Sequence, residues 1–118
     1  MNYIISKHSS KIVYNYHPQN IGELQKLLDK LIEERGLKAD LNDIDTSAIT
    51  DMRFVFDCSR FNGDISKWNV SNVKDMSGMF ANSKFTGNIS NWDVSNVKDM
   101  SYMFAGSPLE TNPPSWFK

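Results

Sequence analysis

Asp51, Asp75 and Asp99 recur at intervals of 24 residues, a spacing that would set three carboxylates in one column. Carboxylates about 5 Å apart on neighbouring coils offer oxygen ligands to a hard cation. The competing reading is structural, because an aspartate can hydrogen-bond turn backbone in every copy, and Lys74 and Lys98 adjoin two of the three. The structural reading is preferred, and no metal ligand is assigned. His8 and His17 both lie in the amino-terminal segment, in no spacing typical of zinc ligands, and read as ordinary surface histidines. Cys58 is the only cysteine, so neither an internal disulfide nor a cysteine metal site is possible. It reads as a small core residue in preference to a reactive thiol. No Gly-x-Ser-x-Gly elbow, phosphate loop or dinucleotide fingerprint occurs. The expectation is a protein without catalytic residues or cofactor, not an enzyme.

The elements that would position these residues follow from a repeat. Phe61 to Lys84 and Phe85 to Pro108 align without a gap at an offset of 24, and the string VSNVKDM of Val70 to Met76 returns unchanged from Val94 to Met100. Upstream, Leu41, Ile44, Ile49, Met52 and Phe56 keep the register, and downstream Leu109 and Trp116 do so. Two full copies, 61–84 and 85–108, are thus flanked by a degenerate copy, 37–60, and a truncated one, 109–118. Atypical end copies are expected where stacked units must close an open core.

Phe61, Ile65, Trp68, Val70, Val73, Met76, Met79 and Phe80 recur as Phe85, Ile89, Trp92, Val94, Val97, Met100, Met103 and Phe104. Their uneven spacing suits a coil that turns several times per copy and sends one side chain inward at each bend. The methionine columns read as core filling. Trp68 to Val70 alternates like a short strand, and Ser71-Asn72 supplies turn chemistry. Gly63 and Gly87 mark a corner where a side chain would not fit or φ is positive. Lys74 to Phe80 reads as a helical or irregular return segment.

Ahead of the repeat, residues 1–40 read as a cap. Lys11 to Tyr16 alternates like a strand closed by His17-Pro18, available to pair with the first repeat's strand and protect its edge. Asn20-Ile21-Gly22-Glu23 has the form of a capping box opening a helix over about 20–35, with Gly36 as its stop. Leu24, Leu28 and Leu31 make its apolar stripe. The mixed charge of the other faces argues against a membrane-surface helix. At the far end Pro113-Pro114 stops regular structure, and Trp116 and Phe117 fold over the last copy. One compact domain is expected, cap 1–40 and repeat region 41–118.

The formal net charge of −1 argues against broad phosphate neutralisation, so no nucleic-acid partner is expected. The start of the chain has no signal-peptide pattern, and no apolar run approaches a membrane span. As written it is expected in the cytoplasm; as a fragment of a longer protein, at the cell surface or secreted.

The string WNVSNVKDMSGMF, with its companion WDVSNVKDMSYMF, resembles the BspA-like leucine-rich-repeat family of bacterial surface proteins, from Leu41 to about Trp116. That resemblance implies a leucine-rich-repeat-type fold and a role in adhesion or protein binding. Repeat and resemblance together give the expected fold class: α/β, a short right-handed leucine-rich-repeat-like solenoid with parallel short strands, capped by an amino-terminal strand and an amphipathic helix. The expected function is non-enzymatic binding of another protein through the solenoid surface. The alternative is a small intracellular inhibitor or regulator, carried by a mobile element or phage, that blocks a host protein. The candidate partner-binding residues are Asp45, Asn69 and Asp93 with Lys67 and Asn91 on one face. Arg53 and Tyr102 stand on a second, where the variable columns Arg53, Ser77, Ser101 and Phe54, Gly78, Tyr102 run. Oligomeric state is not legible.

Overall fold

A computed structural model describes residues 12–118. Among them one α-helix forms, α1 (Ile21–Arg35), followed much later by a 3-10 turn at Pro108–Glu110. The side chain of Asn20 accepts the Glu23 N–H at 2.9 Å, as the cap predicts. The return half of the box differs: the Glu23 carboxylate takes the N–H of Gln19, not that of Asn20. Gly36, at φ 99°, ends the helix with its N–H on the Ile32 carbonyl. Leu24, Leu28 and Leu31 are buried in one cluster with the apolar residues of the repeats. His8 and Lys11 lie outside the described residues.

The expected fold class, an α/β leucine-rich-repeat-like solenoid with parallel short strands, is wrong. No strand and no sheet forms among the described residues; the β-type pairing between copies is confined to isolated parallel bridges, Asp40 to Asp64, Asp51 to Asp75 and Asp75 to Asp99. The cause lies in how the main chain spends its donors. The N–H groups of Met52, Phe54, Phe56 and Cys58 bond carbonyls of Asp75, Ser77, Met79 and Ala81 in the next copy. Those of Val55, Asp57 and Ser59, between them, bond back three residues within their own copy. The chain is therefore a run of consecutive turns, tightened by positive φ at Phe54 (57°) and Cys58 (57°). A pleated strand needs strongly negative φ at every residue, so it cannot pass through such corners. The same pattern follows at Gly78 and Asn82 and again at Tyr102 and Gly106, where φ lies between 55° and 69°.

The expected amino-terminal strand fails too. Of its described residues, only Tyr16 makes a bridge, to Ile44, fixed by bonds from Asn15 and Asp45. Trp68 to Val70 is likewise unpaired, because the Trp68 and Val73 N–H groups close turns onto Ile65 and Val70.

Side chains join the copies where strands do not. Phe56, Phe80 and Phe104 stack with centroids 5.5 and 5.7 Å apart, and Phe61 lies 6.4 Å from Phe85. Trp116 stacks on Trp92 at 6.4 Å and Phe117 meets Phe104 edge-on at 5.0 Å. Each indole N–H crosses to the preceding copy: Trp68 to Leu41, Trp92 to Ile65 and Trp116 to Ile89, at 2.9, 3.1 and 2.8 Å. Asn72 and Asn96 do the same with their amides, donating to the carbonyls of Ser47 and Ser71. Gly63 lacks a side chain for close approach, since a Cβ there would overlap the Ala39 carbonyl.

Candidate contact edge

The first expected face is engaged with its own backbone. Asp45, Asn69 and Asp93 each turn Oδ1 onto a main-chain N–H two residues on, of Ser47, Ser71 and Ser95. The Ser71 and Ser95 hydroxyls add a second bond to the same oxygens. In the Asp93 case these two bonds, the hydroxyl's first and then the main chain's, hold the carboxyl below its ordinary range. Asp45 is lowered chiefly by Ser47, with His17 adding to it from 3.3 Å. Lys67 and Asn91 are exposed beside this row, and only the Lys67 main chain is bonded, to Asn42.

The Asp51, Asp75, Asp99 column does the same work at another corner: Asp75 and Asp99 bond the N–H and hydroxyl of Ser77 and Ser101. Where the serine is replaced by Arg53, the guanidinium pairs with Asp51 at 2.9 Å and reaches to 3.9 Å from Asp75. Burial opposes ionisation of Asp51, yet the Arg53 side chain and N–H hold its carboxyl below the usual range. Among the described residues no group of three or more metal-binding side chains converges.

Cys58 corrects its expectation outright. It is exposed, not core, because it occupies a left-handed corner whose column continues as Asn82 and Gly106. Its neighbour Asp57 pushes the thiol's pKa up, away from thiolate reactivity.

The second expected face is where apolar surface reaches solvent. Phe54 is 56% exposed and Tyr102 78%, each at the same left-handed corner of its copy, with Gly78 between them. Phe54 lays its ring over Gly78, where a Cβ would overlap it. One corner further on, the Asn82 side chain covers Gly106 in the same manner. Side chains at these corners therefore lean onto the following copy. Below Tyr102 a groove of about 160 Å³ runs past Phe104, Ala105, Glu110 and Phe117.

Arg53 and Tyr102 thus fall on one edge, while Asp45, Asn69 and Asp93 fall on another, with Oδ1 of each bonded to its own turn. Sequence reasoning includes the Phe54 column in its second candidate face but passes over the Phe117 wall. The glycine at position 78 was the available signal: it implies that its column sits at a positive-φ corner.

The family described as "Mycoplasma protein of unknown function, DUF285" matches residues 5–116 of the chain. No curated protein and no solved structure matches it.

Proposed function

We propose that this chain, which belongs to the DUF285 family, is a non-enzymatic protein-binding module whose contact edge is the Phe54, Gly78, Tyr102 column with Arg53 beside it. The observation that carries the reading is the state of Tyr102. It stands 78% exposed at φ 58°, a conformation that Gly78 adopts in the preceding copy without strain. A side chain in that region costs on the order of 1 kcal/mol. Phe54 recovers some of this by covering Gly78, but Tyr102 has little burial to set against it. Residues held against their local preference without a packing return are candidates for function. An exposed tyrosine on a regular edge has the composition of an interface anchor. The BspA-like character of the repeat motif supports the same class of activity.

A photo-crosslinking residue placed at position 102, and another at Lys26 on the helix's polar face, would test the reading in the native cell. Discrete crosslinked protein at 102 and none at 26 is the expected result, reduced by Arg53→Ser and by Phe54→Ser. Equal labelling at both positions would reject the edge as the contact surface.

A further inference from the structure

We propose that Asn62–Gly63 is a self-modification site, where the Asn62 amide loses ammonia and the main chain passes through a cyclic imide to aspartate and isoaspartate. This chemistry needs neither the contact edge nor a partner.

Asn62-Gly63 is the only Asn-Gly pair in the sequence, and it lies within the first full copy, tied to the copy on either side. Closing the imide requires a main-chain nitrogen free to approach Cγ of the preceding side chain, with no Cβ in the way. It also requires donors on the oxygen where negative charge gathers. Gly63 supplies the open approach. The peptide unit joining the two residues, the Asn62 carbonyl and the Gly63 N–H, makes no hydrogen bond among the described residues. It can therefore turn and give up its proton without breaking a bond of the fold. The N–H groups on either side are held, Asn62 to the Leu37 carbonyl at 2.8 Å and Asp64 to that of Ala39 at 2.9 Å.

The donors come from Thr86, one copy on. By the register its N–H would meet a main-chain carbonyl, as the N–H of Asn62 does one copy earlier. It turns instead onto Asn62 Oδ1 at 2.8 Å, and the Thr86 hydroxyl adds a second bond at 3.1 Å. Two donors thus meet on the oxygen that becomes negative as the Gly63 nitrogen attacks Cγ, the arrangement that stabilises tetrahedral intermediates of acyl transfer. The N–Cγ bond forms, the Cγ–Nδ2 bond breaks, and the Gly63 proton leaves with Nδ2 as ammonia. Water then opens the imide at either carbonyl. Asn62 is half-buried and Thr86 exposed, so water reaches the pair.

The two products differ in what they do to the fold. Aspartate keeps the main chain and an oxygen for Thr86. Isoaspartate routes the main chain through Cγ and adds a methylene between the N–H groups spaced for Leu37 and Ala39. That product loosens the Asp40 to Asp64 bridge, which ties the degenerate copy to the first full one.

The test incubates the full chain and the synthetic peptide Phe61–Lys67 side by side in neutral buffer. Conversion is followed by the mass gain of amide to acid in the tryptic peptide, and isoaspartate by labelling with protein isoaspartate methyltransferase. The folded chain should convert at Asn62 at least as fast as the peptide. Thr86→Val removes the hydroxyl donor, keeps the main-chain one, and should slow conversion about two- to tenfold, the rate equivalent of one hydrogen bond. Isoaspartyl chain should lose exchange protection at the Leu41 amide, which bonds the Asp64 carbonyl, whereas Asn62→Asp should keep it. An amide that persists in the folded chain after the peptide has converted overturns the site. Conversion of Thr86→Val as fast as wild type, or faster, would mean that these bonds restrain Asn62 and overturns their activating role. Full Leu41 protection in the isoaspartyl chain overturns the loosening of the copies.

Discussion

The indole N–H of Trp92 donates to the main-chain carbonyl of Ile65 at 3.1 Å, so one side chain both fills the core of its own copy and ties it to the one before. Trp92 is 5% exposed, and its ring also stacks on Trp116. The two contributions separate by substitution. Trp92→Phe keeps an aromatic ring but leaves the Ile65 carbonyl without its donor, at a cost of about 1–2 kcal/mol. Trp92→Ala adds a cavity and should cost about 3–5 kcal/mol. Thermal melts should rank wild type, Phe and Ala in that order; a melt for Trp92→Ala that overlays wild type would discredit the interlocked stack.

Gly78 supports two features at once, its φ of 62° and its contact with the Phe54 ring. Gly78→Ala should lose about 1–2 kcal/mol from the backbone alone, and more from displacing the ring. Adding Phe54→Gly should recover the steric part and leave the backbone part. Urea midpoints of the two single variants and the double variant measure this coupling. Strictly additive losses would mean that ring and glycine do not constrain each other.

These two sites mark the border of what the sequence makes legible. Leu24, Leu28 and Leu31 announce a helix because one spacing suits one periodic element, and the 24-residue offset announces equivalent copies because side chains recur in step. Backbone conformation within a copy is another matter. Nothing about Phe54, Cys58 or Tyr102 as residue types signals positive φ, and these corners turn would-be strands into consecutive turns. Gly78, Asn82 and Gly106, read together with their columns, carry that information. Cys58 reads as core for the same reason, when its residue type is taken without its column. Asp45, Asn69 and Asp93 adjoin Ile44, Trp68 and Trp92 in sequence, and one side-chain oxygen of each bonds its own turn.

Acid should weaken the link between α1 and the first copy. Hydrogen bonds from Arg35, first, and then Asn15 hold Asp43 at about 2 despite some burial. Because the folded value lies below the unfolded one, this contribution is complete above the ordinary carboxyl range and is lost as pH falls through the folded value. Stability of the wild type should therefore drop between about pH 4 and pH 2 more steeply than that of Asp43→Asn. The two should converge at the acid end. Chemical denaturation across that range supplies the comparison, and parallel pH profiles would exclude the Arg35 pair as a source of acid sensitivity.

Phe80 lies at the centre of the aromatic column, with Phe56 at 5.5 Å, Phe85 at 4.7 Å, Trp92 at 6.3 Å and Phe104 at 5.7 Å. Phe117, by contrast, meets Phe104 from one side and is only half-buried. Where units are held by their neighbours, removing a central contact weakens two interfaces, and removing a terminal one weakens only the last. Phe80→Ala should therefore cost about 3–5 kcal/mol, a large share of the roughly 5–15 kcal/mol that holds a domain folded. Its effect should be global, speeding amide exchange in every copy and in α1 alike. Phe117→Ala should speed exchange in the last copy while the Leu24 and Leu28 amides keep their protection. If Phe80→Ala instead loosened only residues 74–82, the rings would be independent contacts, and the copies would not share one cooperative core.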